Sequence, residues 1–277
     1  TQLHQGGVIT MASQKGTAVI TGATSGIGAE FARRFAAEGY DLIITGRKKN
    51  VIKELADTLS SRYGVSVTVL IAELSNTLEL EKVVKKIKGT KDIAVLVNNA
   101  GFGTNGLFHE NEAAVHEQML AVHALAPVKL THAAIPNMIA GGKGIIINVA
   151  SISAKLIFPS SSMYSGTKAF LQFFTETLHL ELKEHNIKVQ ALCPGFTRSK
   201  FHDKMGIGKI VGKNTALMRW MTPEQVVDRS LKALTKGKVL YVPGFLNKVS
   251  FKLPDLLPRW LYYRVLEGAK NMDELFK

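Results

Sequence analysis

The chain has 277 residues, 46% of them hydrophobic and 21% charged, with a formal net charge of +13 and one cysteine. That length and apolar share suit a single large core and exclude a disordered chain, and one cysteine excludes an intrachain disulfide. No apolar run approaches the roughly 18 residues of a membrane span and no leader has a basic start and an apolar middle, so a cytoplasmic protein in a reducing compartment is expected.

Residues 1–14 are polar and are set outside the fold as a leader, with Met11 a candidate native start and the residues before it an addition. An apolar run at 17–20 then meets Thr21-Gly22-Ala23-Thr24-Ser25-Gly26-Ile27-Gly28, and a helical pattern follows at 27–37. This reads as strand, glycine turn and helix start. Such a turn lets a ligand approach the backbone, and the free N–H groups and dipole of the helix start attract phosphate, so a dinucleotide pyrophosphate is the expected guest. A second strand at 41–45 runs into Gly46-Arg47-Lys48-Lys49. An acidic residue here would accept a hydrogen bond from a ribose 2′-hydroxyl; none occurs between Asp41 and Glu54, while Arg47 suits a 2′-phosphate. NADP(H) is therefore expected over NAD(H).

A helix at 50–63, a strand at 66–71, the turn Ala72-Glu73-Leu74, a lysine-rich helix at 77–88 and a strand at 93–97 ending in Asn98-Asn99-Ala100-Gly101 come next. Alternating strands and helices imply right-handed crossovers and an α/β Rossmann-type, doubly wound parallel sheet with helices on both faces. A long helix is expected at 112–135, preceded by His109 and carrying His116 and His123. Seven-residue spacing separates these histidines by ~10.5 Å per step, too far to share one metal ion, so no metal site is expected. Pro127 has no N–H to give the carbonyl of residue 123, which is left able to hold a water.

The strand at 144–149 delivers Ser151, and Tyr164 and Lys168, four apart, share one face of the following helix. The strand at 188–193 holds Cys193 as a buried small hydrophobe and leads to Pro194-Gly195-Phe196-Thr197. Residues 198–221, with glycines at 206, 208 and 212 and apolar Phe201, Met205, Ile207, Leu217 and Trp220, read as a mobile substrate lid. Thr222-Pro223-Glu224-Gln225 is a capped helix start, the helix runs to about 236, and a strand at 239–242 ends the sheet. One domain, 15–277, is expected.

The charge is uneven. Residues 1–197 carry 19 basic and 15 acidic side chains, residues 198–277 carry 16 and 7. In the tail, 253–277, Leu256, Leu257, Trp260, Leu261, Val265 and Leu266 lie among Arg259, Arg264 and Lys270. A helix packed on the fold or in a dimer accounts for it, and peripheral attachment to a membrane surface is the sharper alternative. With no motif of interleaved stacking aromatics, nucleic acid is not an expected partner.

The glycine turn, Asn98-Asn99-Ala100-Gly101, and Tyr164 and Lys168 with Ser151 thirteen residues upstream of the tyrosine together resemble the short-chain dehydrogenase/reductase family, over residues 16–242. The resemblance implies a cofactor site at Gly22, Thr24, Ser25, Gly26, Ile27, Gly28, Arg47, Glu73, Leu74, Asn99, Ala100, Gly101, Tyr164, Lys168, Pro194, Gly195 and Thr197. Glu73 stands where the family usually has an aspartate beside the adenine. It also implies that Ser151 holds a substrate carbonyl, Tyr164 donates the proton, and Lys168 supplies charge and holds the nicotinamide ribose. A phenol with a pKa near 10 needs nearby positive charge to work at neutral pH, and Lys168 and the oxidised nicotinamide are expected to supply it together. His123 falls where the family carries the asparagine of its catalytic tetrad, and its backbone carbonyl is the part expected to survive.

Apolar Phe102, Leu156, Ile157, Phe158 and Met205 point to a hydrophobic ketone or a 3-oxoacyl thioester, reduced with NADP(H) or formed from the alcohol. An NADPH-binding sensor without turnover is the alternative, motivated by His123. A homodimer or homotetramer through the two long helices fits the resemblance.

Overall fold

The computed structural model describes residues 15–157, 160–199, 201 and 220–268. In chain order its elements are β1 (Thr17–Ile20), α1 (Gly26–Ala37), β2 (Asp41–Gly46), α2 (Lys49–Tyr63), β3 (Val67–Ile71), α3 (Thr77–Lys88), β4 (Ile93–Asn98), α4 (Ala113–Leu120), α5 (Ala126–Ala140), β5 (Gly144–Val149), α6 (Ser162–Leu182), β6 (Ile187–Leu192), α7 (Pro223–Thr235), β7 (Leu240–Tyr241), α8 (Phe245–Leu256) and α9 (Arg259–Gly268).

Unbroken apolar runs such as Thr17–Ile20, buried at every residue, can satisfy their side chains only in a sheet covered on both faces. The seven strands form that sheet, all pairs parallel, in the order β3-β2-β1-β4-β5-β6-β7. Alternate strand residues divide between two cores. Ala18, Ile20, Ile44 and Val97 pack with Phe31 and Phe35 of α1 and Val226 of α7, whereas Val19, Ile43 and Leu96 pack with Val83 of α3, Leu130 of α5 and Leu178 of α6. The strand order reverses at β1, between β2 and β4, and a doubly wound sheet opens its crevice at the carboxyl ends of those strands.

Thr222 and Gln225 form the expected capping box at α7, with Pro223 in its first turn. The expected helix at 112–135 is instead α4, a π-helical stretch at Ala121–Leu125, and α5 running on to Ala140. The tail, expected from about 245 onward, opens with α8 at Phe245, and Pro254 near the end of that helix leaves the carbonyl four residues before it without a helical N–H donor. Residues 1–14, Phe158, Pro159, Lys200, residues 202–219, which include Met205, Ile207, Leu217 and the lid glycines, and residues 269–277, which include Lys270, lie outside the described residues.

Candidate functional site

The glycine turn is shaped by what it touches. Gly22 and Gly26 have positive φ, and a Cβ at Gly22 would meet the Ala100 Cα at 2.8 Å. At Gly28 a Cβ would lie 2.5 Å from the Gly22 carbonyl oxygen, so helix and turn approach as only glycine permits. Asn99 ties this corner together: its Nδ2 donates to the Thr21 and Gly22 carbonyls at 2.9 and 3.2 Å, while the Thr21 hydroxyl accepts the Asn99 and Ala100 N–H groups. Asn99 therefore spends its side-chain amide on holding the turn, and Ala100 forms part of the turn's packing. Ser25 is the N-cap of α1 but caps no N–H with its side chain, and the first turn holds no acid, so the helix start is left with N–H groups and positive dipole. Ile27 leans on the core beneath.

Thr24 reaches across to β2, where a Cβ on Gly46 would meet its methyl at 2.5 Å. Just beyond, Arg47 donates to Glu73 at 2.7 Å, an ion pair joining the ends of β2 and β3. Burial tends to raise the Glu73 pKa, but the hydrogen bond and charge of Arg47, with help from Ser75, outweigh it and hold the carboxyl below its ordinary value. Leu74 is buried in the core.

At the ends of β4 and β5, Lys168 is buried on α6 and its Nζ donates to the Val149 carbonyl at 2.8 Å, two residues before Ser151. The same Nζ lies 5.8 Å from the centre of the Tyr164 ring. Burial lowers the lysine to about 8 and raises the phenol to about 12, the Ser151 hydroxyl pulling the phenol the other way by hydrogen bonding. In the protein alone, desolvation of the phenolate dominates. Ser151 Oγ accepts the Ser153 N–H at 3.1 Å, turning the chain into a short 3₁₀ helix.

His123 is fully buried. The Phe102 backbone N–H can only donate, so Nε2, 3.0 Å away, must accept. Nδ1 then carries the proton and donates to Thr167 Oγ1 at 3.0 Å, and that hydroxyl donates to the Tyr164 carbonyl at 3.0 Å. Burial first, and the charge of Lys168 second, hold the imidazole well below its ordinary pKa. Both ring nitrogens are occupied, which leaves the side chain no atom to offer a substrate. Gly101 lies against the ring, a Cβ there coming 3.0 Å from Nε2. Of the other histidines, His116 bonds the Phe108 carbonyl and stacks on its ring, and among the described residues no cluster suited to a metal is found.

On the far side of the crevice Pro194 accepts the Ile152 N–H at 3.1 Å, and a Cβ on Gly195 would strike Asn247 of α8 at 2.5 Å. Thr197 donates to the Gly195 carbonyl and bridges Met221. A buried polar chain was missed from the sequence: Asn98 Nδ2 donates to Thr131 Oγ1 and Asn148 Oδ1, and Asn148 Nδ2 donates to Thr175 Oγ1 on α6. Asparagine at the end of β4 and inside β5 was its only local signal.

The sequence pattern shared by the short chain dehydrogenases matches residues 16–208. The chain belongs to the short-chain dehydrogenase/reductase family. Among its relatives, the very-long-chain 3-oxoacyl-CoA reductase of Rattus norvegicus is 28% identical over 91% of this chain and 78% of that protein. The short-chain dehydrogenase from Sphingobium yanoikuyae, solved in complex with NADPH, is 31% identical with a TM-score of 0.77, covering 92% of this chain and 93% of that one. The bulky-bulky ketone specific alcohol dehydrogenase from Comamonas testosteroni is 30% identical with a TM-score of 0.74, over 83% and 86%. As a short-chain dehydrogenase/reductase the chain is an oxidoreductase acting on alcohol or ketone groups.

Proposed function

We propose that this oxidoreductase uses NADP(H) to reduce the carbonyl of an apolar ketone or a 3-oxoacyl thioester, or to oxidise the matching alcohol. The observation that carries the reading is the meeting of Ser151, Tyr164 and Lys168 at the carboxyl end of β5, beside the uncapped start of α1. The residues at the strand ends suit a dinucleotide. Gly22, Gly26 and Gly28 would admit the pyrophosphate to the N–H groups of Thr24, Ser25 and Ile27, Arg47 would hold the 2′-phosphate, Glu73 and Leu74 would border the adenine, and Asn99, Ala100, Gly101, Pro194, Gly195 and Thr197 would wall the nicotinamide half. When bound, that group supplies the hydride.

The chain's own residues supply the rest. Ser151 donates a hydrogen bond to the substrate carbonyl oxygen and Tyr164 gives it a proton as the carbon is reduced. Protonated Lys168 favours the resulting phenolate and would hold the nicotinamide ribose. His123 acts through its neighbours, as a positioning residue, while its carbonyl, denied an α-type partner by Pro127, supports the water that returns a proton. Phe102, Leu156 and Ile157 favour apolar substrates, as do the ketone and 3-oxoacyl relatives. Exposed Phe173 and Leu180 on α6, with Leu120 and Leu125, support a homodimer or homotetramer through these helices.

The test is NADPH oxidation against a panel of apolar ketones and 3-oxoacyl thioesters, with Tyr164→Phe beside the wild type. Turnover is expected to fall at least about a hundredfold while NADPH binding persists. Binding of NADPH with no turnover on any member of the panel would instead make the chain a sensor. A wild-type preference for NADH would overturn the reading of Arg47.

A further inference from the structure

α8 buries one stripe of side chains and shows a second apolar stripe to water. Asn247, Phe251 and Pro254 face the protein. On the other side Phe245, Val249, Leu253 and Leu256 recur at intervals of four, four and three, which places them on one face, and Phe245 and Leu256 are 78% and 77% exposed. An ordinary surface helix would carry polar residues there. α9 continues the pattern: Tyr262 is buried, while Trp260 is 64% exposed and Tyr263 is exposed beside it. Single exposed hydrophobics are commonplace, but six on two consecutive helices are not.

Charge selects what covers this surface. Lys248, Lys252, Arg259 and Arg264 are exposed on the same two helices, against the acids Asp255 and Glu267. Asp255 is tied to Lys155 at 2.6 Å, which spends its charge on a lysine of its own chain. A second copy docking face to face would set the same cations against one another. An anionic lipid surface accepts both features, taking the apolar side chains to the depth of the acyl boundary and the cations among the headgroups. No helix among the described residues is long and apolar enough to cross a membrane, so the contact is peripheral.

We propose that α8 and α9 seat the protein on an anionic lipid surface. The seat adjoins the substrate side of the site. Phe251 packs with Ala150, Ile152 and Cys193, Lys155 pairs with Asp255, and the Tyr262 hydroxyl accepts the Ile157 N–H at 3.2 Å. The loop that leads from Ser151 to Ile157 therefore rests on the lipid-seated helices. An apolar substrate dissolved in the lipid would reach the crevice from that side without crossing water. The seat itself does not depend on which cofactor or carbonyl the site takes.

The test is co-sedimentation of the full chain with vesicles of phosphatidylcholine alone or with about 30% phosphatidylserine, each at about 0.1 M and about 1 M salt. Binding is expected to the anionic vesicles and to weaken at least about tenfold at high salt. Phe245→Ser with Trp260→Ser, and separately Lys248→Glu with Lys252→Glu, should each weaken it by about tenfold or more, each cation near such a surface being worth about fivefold. The chain has two tryptophans and Trp220 is only 6% exposed, so a blue shift of fluorescence on adding vesicles reports Trp260. Circular dichroism confirms folding, and the lysine variants, which disturb the protein side only where Lys248 lies 5.5 Å from the centre of the Tyr241 ring, stand in if the apolar pair does not fold. Binding that ignores both phosphatidylserine and the substitutions overturns the proposal. So does a dimer that the Phe245→Ser, Trp260→Ser variant splits while vesicle binding is absent, since a second copy would then cover the stripe.

Discussion

Arg47 and Glu73 clasp one another across the ends of β2 and β3, at 2.7 Å, where the adenosine half of a dinucleotide would lie. The guanidinium proposed to hold a 2′-phosphate is thus partly satisfied by a carboxylate of its own chain. One nitrogen is engaged, and an arginine has five N–H donors, so a phosphate can still be met. An exposed pair contributes within about 1 kcal/mol of ordering, whereas a phosphate dianion brought beside Glu73 meets a like charge. Repulsion outweighs the ordering. Glu73→Gln is expected to tighten binding of 2′,5′-ADP by roughly three- to tenfold and to leave 5′-AMP unchanged within about twofold. Isothermal titration checks both, and weaker binding of 2′,5′-ADP would show that Glu73 serves mainly to aim Arg47.

The imidazole of His123 is locked as a neutral ring between the Phe102 N–H and the Thr167 hydroxyl. Its pKa lies well below 6.5 when folded, so the unfolded chain binds this proton first as pH falls. The stability it contributes is present above the unfolded pKa and is lost from about pH 6.5 downwards, at no more than about 1.4 kcal/mol per pH unit, until the folded pKa is passed. His123→Asn should remove that slope and keep turnover within about threefold of wild type, since the reading gives the imidazole no direct part in the chemistry. Urea melts from pH 7 to 5 measure the slope. A large loss of rate in a normally folded variant would show that the ring itself is needed.

The parts legible in the sequence were those written in local pattern: unbroken apolar strands, the glycine turn, the capping box, and a tyrosine and lysine on one helix face. What escaped depends on groups distant in the chain. Asn98 and Asn148 look like strand ends until Thr131 and Thr175 meet them inside the core. Arg47 and Glu73 were read separately, as phosphate and adenine contacts, because pairing 26 residues apart needs β2 and β3 to be neighbours. The π-helical stretch could not be seen, although Pro127 pointed to an interrupted ladder. The burial that raises the Tyr164 phenol in the protein alone is likewise recorded by no local pattern.

Lys168, lowered to about 8 by burial, is charged below that pH and neutral above it. In the proposed reaction its charged form is the one that supports proton donation by Tyr164. For carbonyl reduction, kcat/KM for the nicotinamide cofactor reports the free enzyme, and it is expected to be level at neutral pH and to fall about tenfold per unit above pH 8. Lys168→Arg, which stays charged, should shift the fall upward, even if its bulk lowers the plateau. A profile level to pH 10 would mean that the lysine keeps an ordinary pKa at work.

The chain from Asn98 through Asn148 to Thr175 links the strand that carries the Asn99 corner, the strand that delivers Ser151 and the helix that carries Tyr164 and Lys168. Thr175 lies two turns beyond Lys168 on the same side of α6, so its bond to Asn148 fixes how far the helix has slid along the sheet. Asn148→Leu removes one acceptor and one donor from a fully buried site. Asn98 Nδ2 keeps Thr131 and the Thr175 hydroxyl keeps the Leu171 carbonyl, which limits the damage. A loss of about 1–3 kcal/mol in stability is expected, with kcat lowered more than KM raised because Ser151 and Tyr164 lose their mutual setting. Thr175→Val in the same chain should recover part of the stability, an apolar pair being cheaper than a half-satisfied polar one, yet should not restore kcat. Denaturant melts and steady-state rates on the four proteins of that cycle decide the matter, and additive losses in both quantities would show that Asn148 and Thr175 do not act together.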